Sequence, residues 1–508
     1  MAIARRGLRA ALSPALAALA LSVAAGCGGS AASGGTDGGG STIIPTISGL
    51  TITPNPTNNL SCFVSWTTDV AATSEVQFGA SAYQFHIVEA SPVTSHNVLV
   101  IGMYAATAYL IKAVSSDAGG SSNATGTFTT GPLPDGLPLG TITVNDTTQT
   151  QAGWTLVNIM PASMGATGPS GLNGSAPGIM VMYDQTGLPV WYFVNGTTAD
   201  VRGDVSLRVK SNNNIVLGPS SGEPPKEIDL GGNVIWEGPA QPPVGADQTN
   251  PATAPMSHYA DRLPNGDYVF FRDLTNANGI GGAFVEEVTP ENDIVWQWNL
   301  FDHLTPPADA ATDWCHPNAA SFDDADGVFY LNCRFQGLIK ASRSGSGDII
   351  WILGGQAGGD FTFDPPGATF NDCHNPEIHA DDGTILLYNN GGSTLTPPAG
   401  VTTRVLEFTL DLSTMTASQV FDFPQSYSGV DSWYTTSWYT PYWGDADRLA
   451  NANVLVTAGF RSATQSTHFF EFRPSDGTVV WQMTLPMEVG SYQAERLSPP
   501  PLVQPLSD

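Results

Sequence analysis

At 508 residues the chain is long enough for two to four domains. It carries 18 lysines and arginines against 46 aspartates and glutamates, a formal net charge of −28. That balance argues against nucleic acid as a partner and against docking on anionic lipid through the protein surface, both of which need clustered cations. The acidity reads as a solvated, self-repelling surface that keeps the protein soluble. The 55 glycines and 38 prolines favour a turn-rich, all-β chain.

The N-terminus reads MAIARRGLRAALSPALAALALSVAAGCGGS. Arg5, Arg6 and Arg9 precede an Ala/Leu-rich core too short to span a bilayer, which ends in small residues before Cys27. Residues 1–26 resemble a bacterial lipoprotein signal, with Cys27 the lipidated residue of the mature protein. An ordinary cleaved signal is the other reading, and both imply export. Residues 27–45 form a Gly/Ser tether, flexible by composition. The expectation is a globular body on an N-terminal lipid anchor, in the periplasm or at the outer membrane or cell surface.

Over residues 46–130 short alternating strands follow one another: TISGLTITP, LSCFVSWTTD, SEVQFG, SHNVLVIG, AYLIKAVSSD and GTFTT. Turn residues separate them, which predicts a β-sandwich. With Trp66 on its second strand and the run through Tyr109, the segment resembles a fibronectin type III domain. No chemistry is expected there, and His86 and His96 are read as surface residues. Residues 131–145, beginning GPLPDGLPLG, form a Pro/Gly linker.

From 146 to 508 a step recurs: an acidic or Asn residue with Gly, then apolar–x–Trp. It appears as TGLPVWYF (Trp191), GGNVIWEG (Trp236), ENDIVWQW (Trp296), SGDIIWIL (Trp351) and DGTVVWQM (Trp481). The intervals are 45, 60, 55 and 130 residues. The last holds two units when Phe421 in ASQVFDF is counted as a degenerate copy. A second repeat precedes these steps, as in LPNGDYVFF, DGVFYLN and DGTILLYNN. Six units of about four strands predict a six-bladed β-propeller whose aromatics fill the space between blades.

Inner propeller strands face the central channel, where ligand sites lie. Three consecutive blades carry a histidine just before the inner turn: His258 in SHYADRLPNGDYVF, His316 in DWCHPN and His374 in DCHNPEIHADDG. Gly444 takes about the matching place in the next repeat of this kind. Folding the Asp313–Gln336 hairpin about Ala325 sets His316 opposite Arg334. Folding the earlier hairpin about Asn265-Gly266 brings Asp273 near His258, and Asn389 or Asn390 falls near His374. His303, in a Pro-rich loop, is placed over the channel mouth, His379 is expected to be solvated, and His468 has a bland reading. Cys62, Cys315, Cys333 and Cys373 match no usual zinc spacing. A cysteine next to an inward histidine on a strand points away from it, so a disulfide or buried thiols are expected, with the pairing open, and no metal.

Three histidines and an arginine, without a nucleophilic Ser or Cys and without paired carboxylates, suit transfer of an anionic sulfuryl or phosphoryl group through a covalent histidine. No GxxxxGK[ST] loop is present, which disfavours a nucleotide donor. DWCHPN, then RFQ, then CH…DDGTILLYNNG, with HYADRLPNGDYVF, RVLEFTLD, GDADRLANANVLV and YQAERL, resemble the bacterial arylsulfotransferase family. The resemblance implies a six-bladed propeller behind a β-sandwich that moves a sulfuryl group from an aryl sulfate to a phenol, with no cofactor. It implies His374 as the nucleophile, His258 and His316 as oxygen-binding or proton-handling groups, Arg334 as the anion clamp and Asn318 as a substrate-binding residue. Cysteines 315, 333 and 373, and Asn389 where the family tends to have Asp, depart from the pattern. Two other functions are weighed: a non-catalytic binding or assembly propeller, and a quinone-cofactor dehydrogenase-like propeller.

Overall fold

Strand Cys62–Gly79 changes partners halfway along its 18 residues. Its first half pairs with Ile47–Pro54 and with the far end of Phe85–Val100. Its second half pairs with the near end of Phe85–Val100 and with Ala108–Asp117, which in turn pairs with Gly120–Thr129. The sequence suggests two separate strands here, but Val70-Ala71-Ala72-Thr73 contains no turn residue and the strand runs on. The alternating inward residues Val64, Trp66, Val76, Phe78, Tyr109 and Ile111 form the core between the two halves.

These coordinates come from a computed structural model. The structure describes residues 43–161, 178–195, 206–219, 223–243, 245–355, 359–394, 396–459, 466–487 and 489–506. The signal, residues 27–42 of the tether and Cys27 lie outside the described residues. Among the described residues no helix is long and apolar enough to cross a membrane.

His96 is not a surface residue. It is buried, stacks on Trp66 with ring centroids 4.7 Å apart, and bonds Thr68 Oγ1 at 2.9 Å and Ser74 Oγ at 2.7 Å. Burial lowers its pKa. His86 is half-buried and pairs with Glu75 at 3.0 Å.

Beyond the sandwich the described residues are almost entirely β, in six further sheets of four or five strands. Their innermost strands are β1 (Leu207–Val209), β2 (Met256–Arg262), β3 (Pro317–Asp323), β4 (Cys373–His379), β5 (Asp445–Arg448) and β6 (Ala494–Leu497). Neighbours touch in that order from β1 to β5, β6 packs on Val454–Ala458 beside β5, and β6 returns to β1, so the six sheets close a ring. Both chain ends lock it. β6 completes the first sheet against Trp154–Pro161, and Thr141–Asn145 completes the last against Thr478–Met487. The segment 141–145, read from sequence as linker, is therefore a strand of the ring. The chain then returns to the sandwich, where Gln504–Pro505 pairs with Phe85–His86.

The recurring aromatic has a common backbone cause. In each outer strand the register slips by one residue directly before it: Pro189 and Trp191, Val234 and Trp236, Ile294 and Trp296, Ile349 and Trp351, Gln419 and Phe421, and Val479 and Trp481 oppose consecutive residues of the neighbouring strand. Such a bulge re-aims the next side chain. Phe421 has the same slip and is the sixth copy. Trp191, Trp236, Trp351, Phe421 and Trp481 are buried. Trp296 is only half-buried; Trp298 holds the core place there, and the Arg343 guanidinium lies 5.4 Å from the Trp296 ring. Indole N–H groups also stitch sheets together. Trp191 donates to Leu230 O at 2.8 Å, Trp298 to Gly347 O at 2.8 Å, and Trp481, across the closure, to Gln185 O at 3.2 Å.

Candidate active site

β2, β3 and β4 each carry or border a histidine, and each is irregular beside it. The register slips after Ser257 in β2, after Pro317 in β3 and after His374 in β4. His258 (φ 59°), His316 (φ 54°), Asp372 (φ 55°) and Asn375 (φ 40°) all occupy the left-handed region. Non-glycine residues pay a strain of order 1–3 kcal/mol there, and such residues cluster at functional sites. The effect is to turn these side chains toward one place. The His258 and His316 rings are 4.9 Å apart, and the buried Tyr492 ring lies 6.2 Å from His258 and 6.1 Å from His374. The three histidines therefore converge.

The His316–Arg334 pair forms as the hairpin predicts. Pro317 opposes Cys333, and the Arg334 N–H donates to His316 O at 3.1 Å. Cys315 and Cys333, one residue before each, form a disulfide with Cα atoms 4.7 Å apart, while Cys62 and Cys373 are buried thiols. Burial pushes the Cys373 thiol up to about 12. The disulfide sits in the apolar core and ties the two strands where the site residues leave them. It closes a sequence separation of 18 residues. The Cys315→Ala/Cys333→Ala double variant should lose about 3 kcal/mol of stability in denaturant unfolding.

Arg334 is 4% exposed and lies between the Phe335 and Tyr442 rings, 5.2 and 5.1 Å from their centroids. It donates to Pro441 O, and its Nε is 3.8 Å from Asp372 Oδ1. Burial pushes the Asp372 carboxyl up, and the charges of Arg334 and His316 only partly offset this.

The hydrogen bonds fix the imidazole tautomers. Asn390 Nδ2 donates to Thr440 O at 2.7 Å and to Trp443 O at 2.8 Å, which leaves its Oδ1 as the acceptor facing His374 Nδ1 at 2.6 Å. His374 therefore holds a proton on Nδ1. Of the two asparagines open in the sequence, Asn390 is the partner; Asn389 Oδ1 accepts from the backbone N–H of Asn371 and Gly391. His316 Nδ1 meets Asp313 Oδ2 at 2.8 Å. Burial pushes the Asp313 carboxyl up, but this bond and the charges of His316, Arg334 and His258 outweigh it and hold the group below the usual carboxylate range. Asp273 instead accepts from Ser257 Oγ at 2.5 Å, and it shares with His258 and His316 the wall of a cavity of about 310 Å³.

The Asn318 amide, implied by the resemblance to bind substrate, is engaged at both ends by protein groups. It is fully buried; its Nδ2 donates to Cys373 O at 2.9 Å, its Oδ1 accepts from Asn332 Nδ2 at 2.6 Å, and its carbonyl accepts from Tyr492 OH at 2.7 Å. With both amide ends engaged, it braces β3 against β4. Cys373 Sγ adds a bond to Asn332 Oδ1 at 3.1 Å. Gly444, at the matching place before β5, has φ 125°, and a Cβ there would come 2.1 Å from the Tyr388 ring. The remaining histidines lie elsewhere. His303 stacks on Trp298 at 5.0 Å instead of covering the channel, His379 is half-buried and pairs with Glu377 at 3.2 Å, and His468 stacks on Trp433 at 4.4 Å.

Three residues further along, the channel turns acidic. Asp261, Glu377, Asp447 and Glu495 follow His258, His374, Gly444 and Tyr492 by three positions each, and Asp445 joins them. Arg208 and Lys210 partly balance them, through Glu495 at 3.7 Å and Asp261 at 2.6 Å. Burial, then Glu377 and Asp261, push the Glu495 carboxyl from 4.5 up to about 7 against the pull of Arg208. Burial also raises Asp445 and Asp447 well above the carboxylate range. A raised carboxyl stabilises the fold below its unfolded pKa and loses that contribution as pH rises through the folded one. Melting temperature should therefore fall between pH 5 and 7.5, and Glu495→Gln should flatten the fall.

The ring of sheets thus gathers three histidines around Tyr492 and sets the buried Arg334 across a hairpin from one of them. The Arylsulfotransferase (ASST) family model matches residues 141–493, and the chain belongs to that family. No curated protein matches the chain in sequence. Among solved structures it is similar to a streptogramin B lyase at 12% identity, covering 70% of this chain and 95% of that one, with a TM-score of 0.34. It is also similar to a virginiamycin B lyase from Staphylococcus aureus (11%, 68% and 98%, 0.32) and to a quinonprotein alcohol dehydrogenase-like protein from Bacteroides thetaiotaomicron (9%, 85% and 94%, 0.32).

Proposed function

We propose that the protein moves a sulfuryl group from an aryl sulfate ester to a phenol through a sulfohistidine on His374, in two half-reactions. The observation that carries this reading is the His374–Asn390 hydrogen bond, which sets the imidazole proton on Nδ1 in a site where the buried Arg334 reaches Asp372 at 3.8 Å and the Tyr492 ring lies 6.1 Å from His374 and 6.2 Å from His258. His374 Nε2 attacks sulfur; the N–S bond forms as the aryl O–S bond breaks. The leaving phenolate takes a proton from His316 or His258, and Asp313 stabilises the His316 imidazolium. An acceptor phenol gives its proton back to the same histidine and attacks sulfur, and the N–S bond breaks. Arg334 holds the sulfuryl oxygens, its charge being permanent and matched to oxyanions.

The test is release of 4-nitrophenol from 4-nitrophenyl sulfate, dependent on an added phenol. Repeated turnover without an acceptor, or no release at all, contradicts the exchange. The wider reading is a six-bladed β-propeller behind a fibronectin type III-like sandwich, exported and held by lipid on Cys27. The ring of six sheets and the bulge shared by six aromatics support the blade count. The Tyr109 hydroxyl bonded by the Tyr104 N–H at 2.8 Å supports the sandwich assignment. Radiolabelled palmitate incorporation that survives Cys27→Ala would contradict the anchor.

A further inference from the structure

We propose that the cavity beside His258 and His316 selects phenolic acceptors that carry a positively charged amine. The proposal rests on the sulfuryl-transfer reading, adds no chemical step, and names the acceptor class. The cavity, of about 310 Å³, is lined by both histidines and by Asp273 and Asp313, and no Lys or Arg is among its described lining residues. Arg334, the cation assigned to the sulfuryl group, does not line it. Charge is thus divided between a cationic clamp for the sulfuryl group and an anionic wall for the aryl part.

Glycines line part of the cavity. Gly281 and Gly282 present bare backbone to the cavity, held by N–H bonds to Thr312 O at 2.6 Å and Leu274 O at 2.7 Å. A Cβ on Gly282 would come 2.5 Å from the Phe301 ring, so this position stays glycine. Leu274 adds an apolar surface. Asp273 uses one oxygen on Ser257 Oγ and Asp313 uses one on His316, so each carboxylate keeps a second oxygen for a ligand. Two carboxylates attract an ammonium group and repel a carboxylate on the same ring. Specificity here comes from the repulsion as well as the attraction.

Isothermal titration of the full protein with 4-(2-aminoethyl)phenol, 4-(2-hydroxyethyl)phenol and 3-(4-hydroxyphenyl)propanoate at pH 7 tests this. The amine should bind about tenfold more tightly than the propanoate, with the neutral phenol between, for a pair of half-exposed charges. Asp273→Asn and Asp313→Asn should each narrow that ratio, and so should added salt. Equal affinities, or a preference for the propanoate, in the unmodified protein overturn the proposal. The same phenols offered with 4-nitrophenyl sulfate separate the two readings. Turnover without charge preference rejects the acceptor class and leaves sulfuryl transfer standing. Amine-selective binding with no turnover of any acceptor rejects sulfuryl transfer and leaves the cation-selective cavity standing.

Discussion

His374→Ala should abolish acceptor-dependent turnover of 4-nitrophenyl sulfate. Loss of a covalent nucleophile elsewhere costs on the order of 10⁶ in rate, and general acid–base groups alone cannot replace the missing N–S bond. Folding should survive, because Asn390 keeps its bonds to Thr440 and Trp443 when the imidazole is gone. Asn390→Ala should give a smaller loss with a distinct signature. Without the Oδ1 acceptor the imidazole can place its proton on either nitrogen, so kcat falls while KM moves little. A His374→Ala protein that turns over normally contradicts the nucleophile assignment outright.

Arg334→Ala should cost on the order of 10²–10³ in kcat, as does loss of one oxyanion stabiliser. Arg334→Lys should recover only part of this, since an ammonium keeps the charge but not the planar fork between the Phe335 and Tyr442 rings. Removing the guanidinium also leaves Asp372 without its cation in a largely buried place. The Arg334→Ala/Asp372→Asn double variant separates the two effects. It should restore stability and leave the rate low. Recovery of rate in the double variant would mean that Arg334 acts only by neutralising Asp372.

The His316–Arg334 pair was legible because a hairpin's register follows from its turn, and Asp323 to Gly327 mark the turn clearly. The body of that hairpin is offset by one residue, and the bulge at Asn318 restores the register at the site. Bulges leave no mark in an alternation pattern, which is why Asn389 and Asn390 stayed unresolved and why Asn318 looked like a ligand and not a brace. Asp313 was within reach: in DWCH the aspartate lies three residues before the histidine, but strand periodicity would send it elsewhere. Tyr492 was hidden because it comes from the end of the chain, where closure of the ring brings it beside β3 and β4. His96 was misread because its partners, Trp66, Thr68 and Ser74, come from a strand that the sequence splits in two. The aromatic repeat was the clearest signal of all, since the same apolar–x–aromatic step recurs at blade-length intervals along the sequence.

The central claim is that sulfur becomes bonded to His374. Brief incubation of the protein with 4-nitrophenyl sulfate and no phenol, followed by peptide mass analysis under basic conditions, tests it most directly. The account predicts one added SO₃ on the peptide containing His374, lost again when a phenol is supplied. Turnover without any mass change, or SO₃ carried by a peptide containing His258 or His316 and not by that of His374, would contradict it.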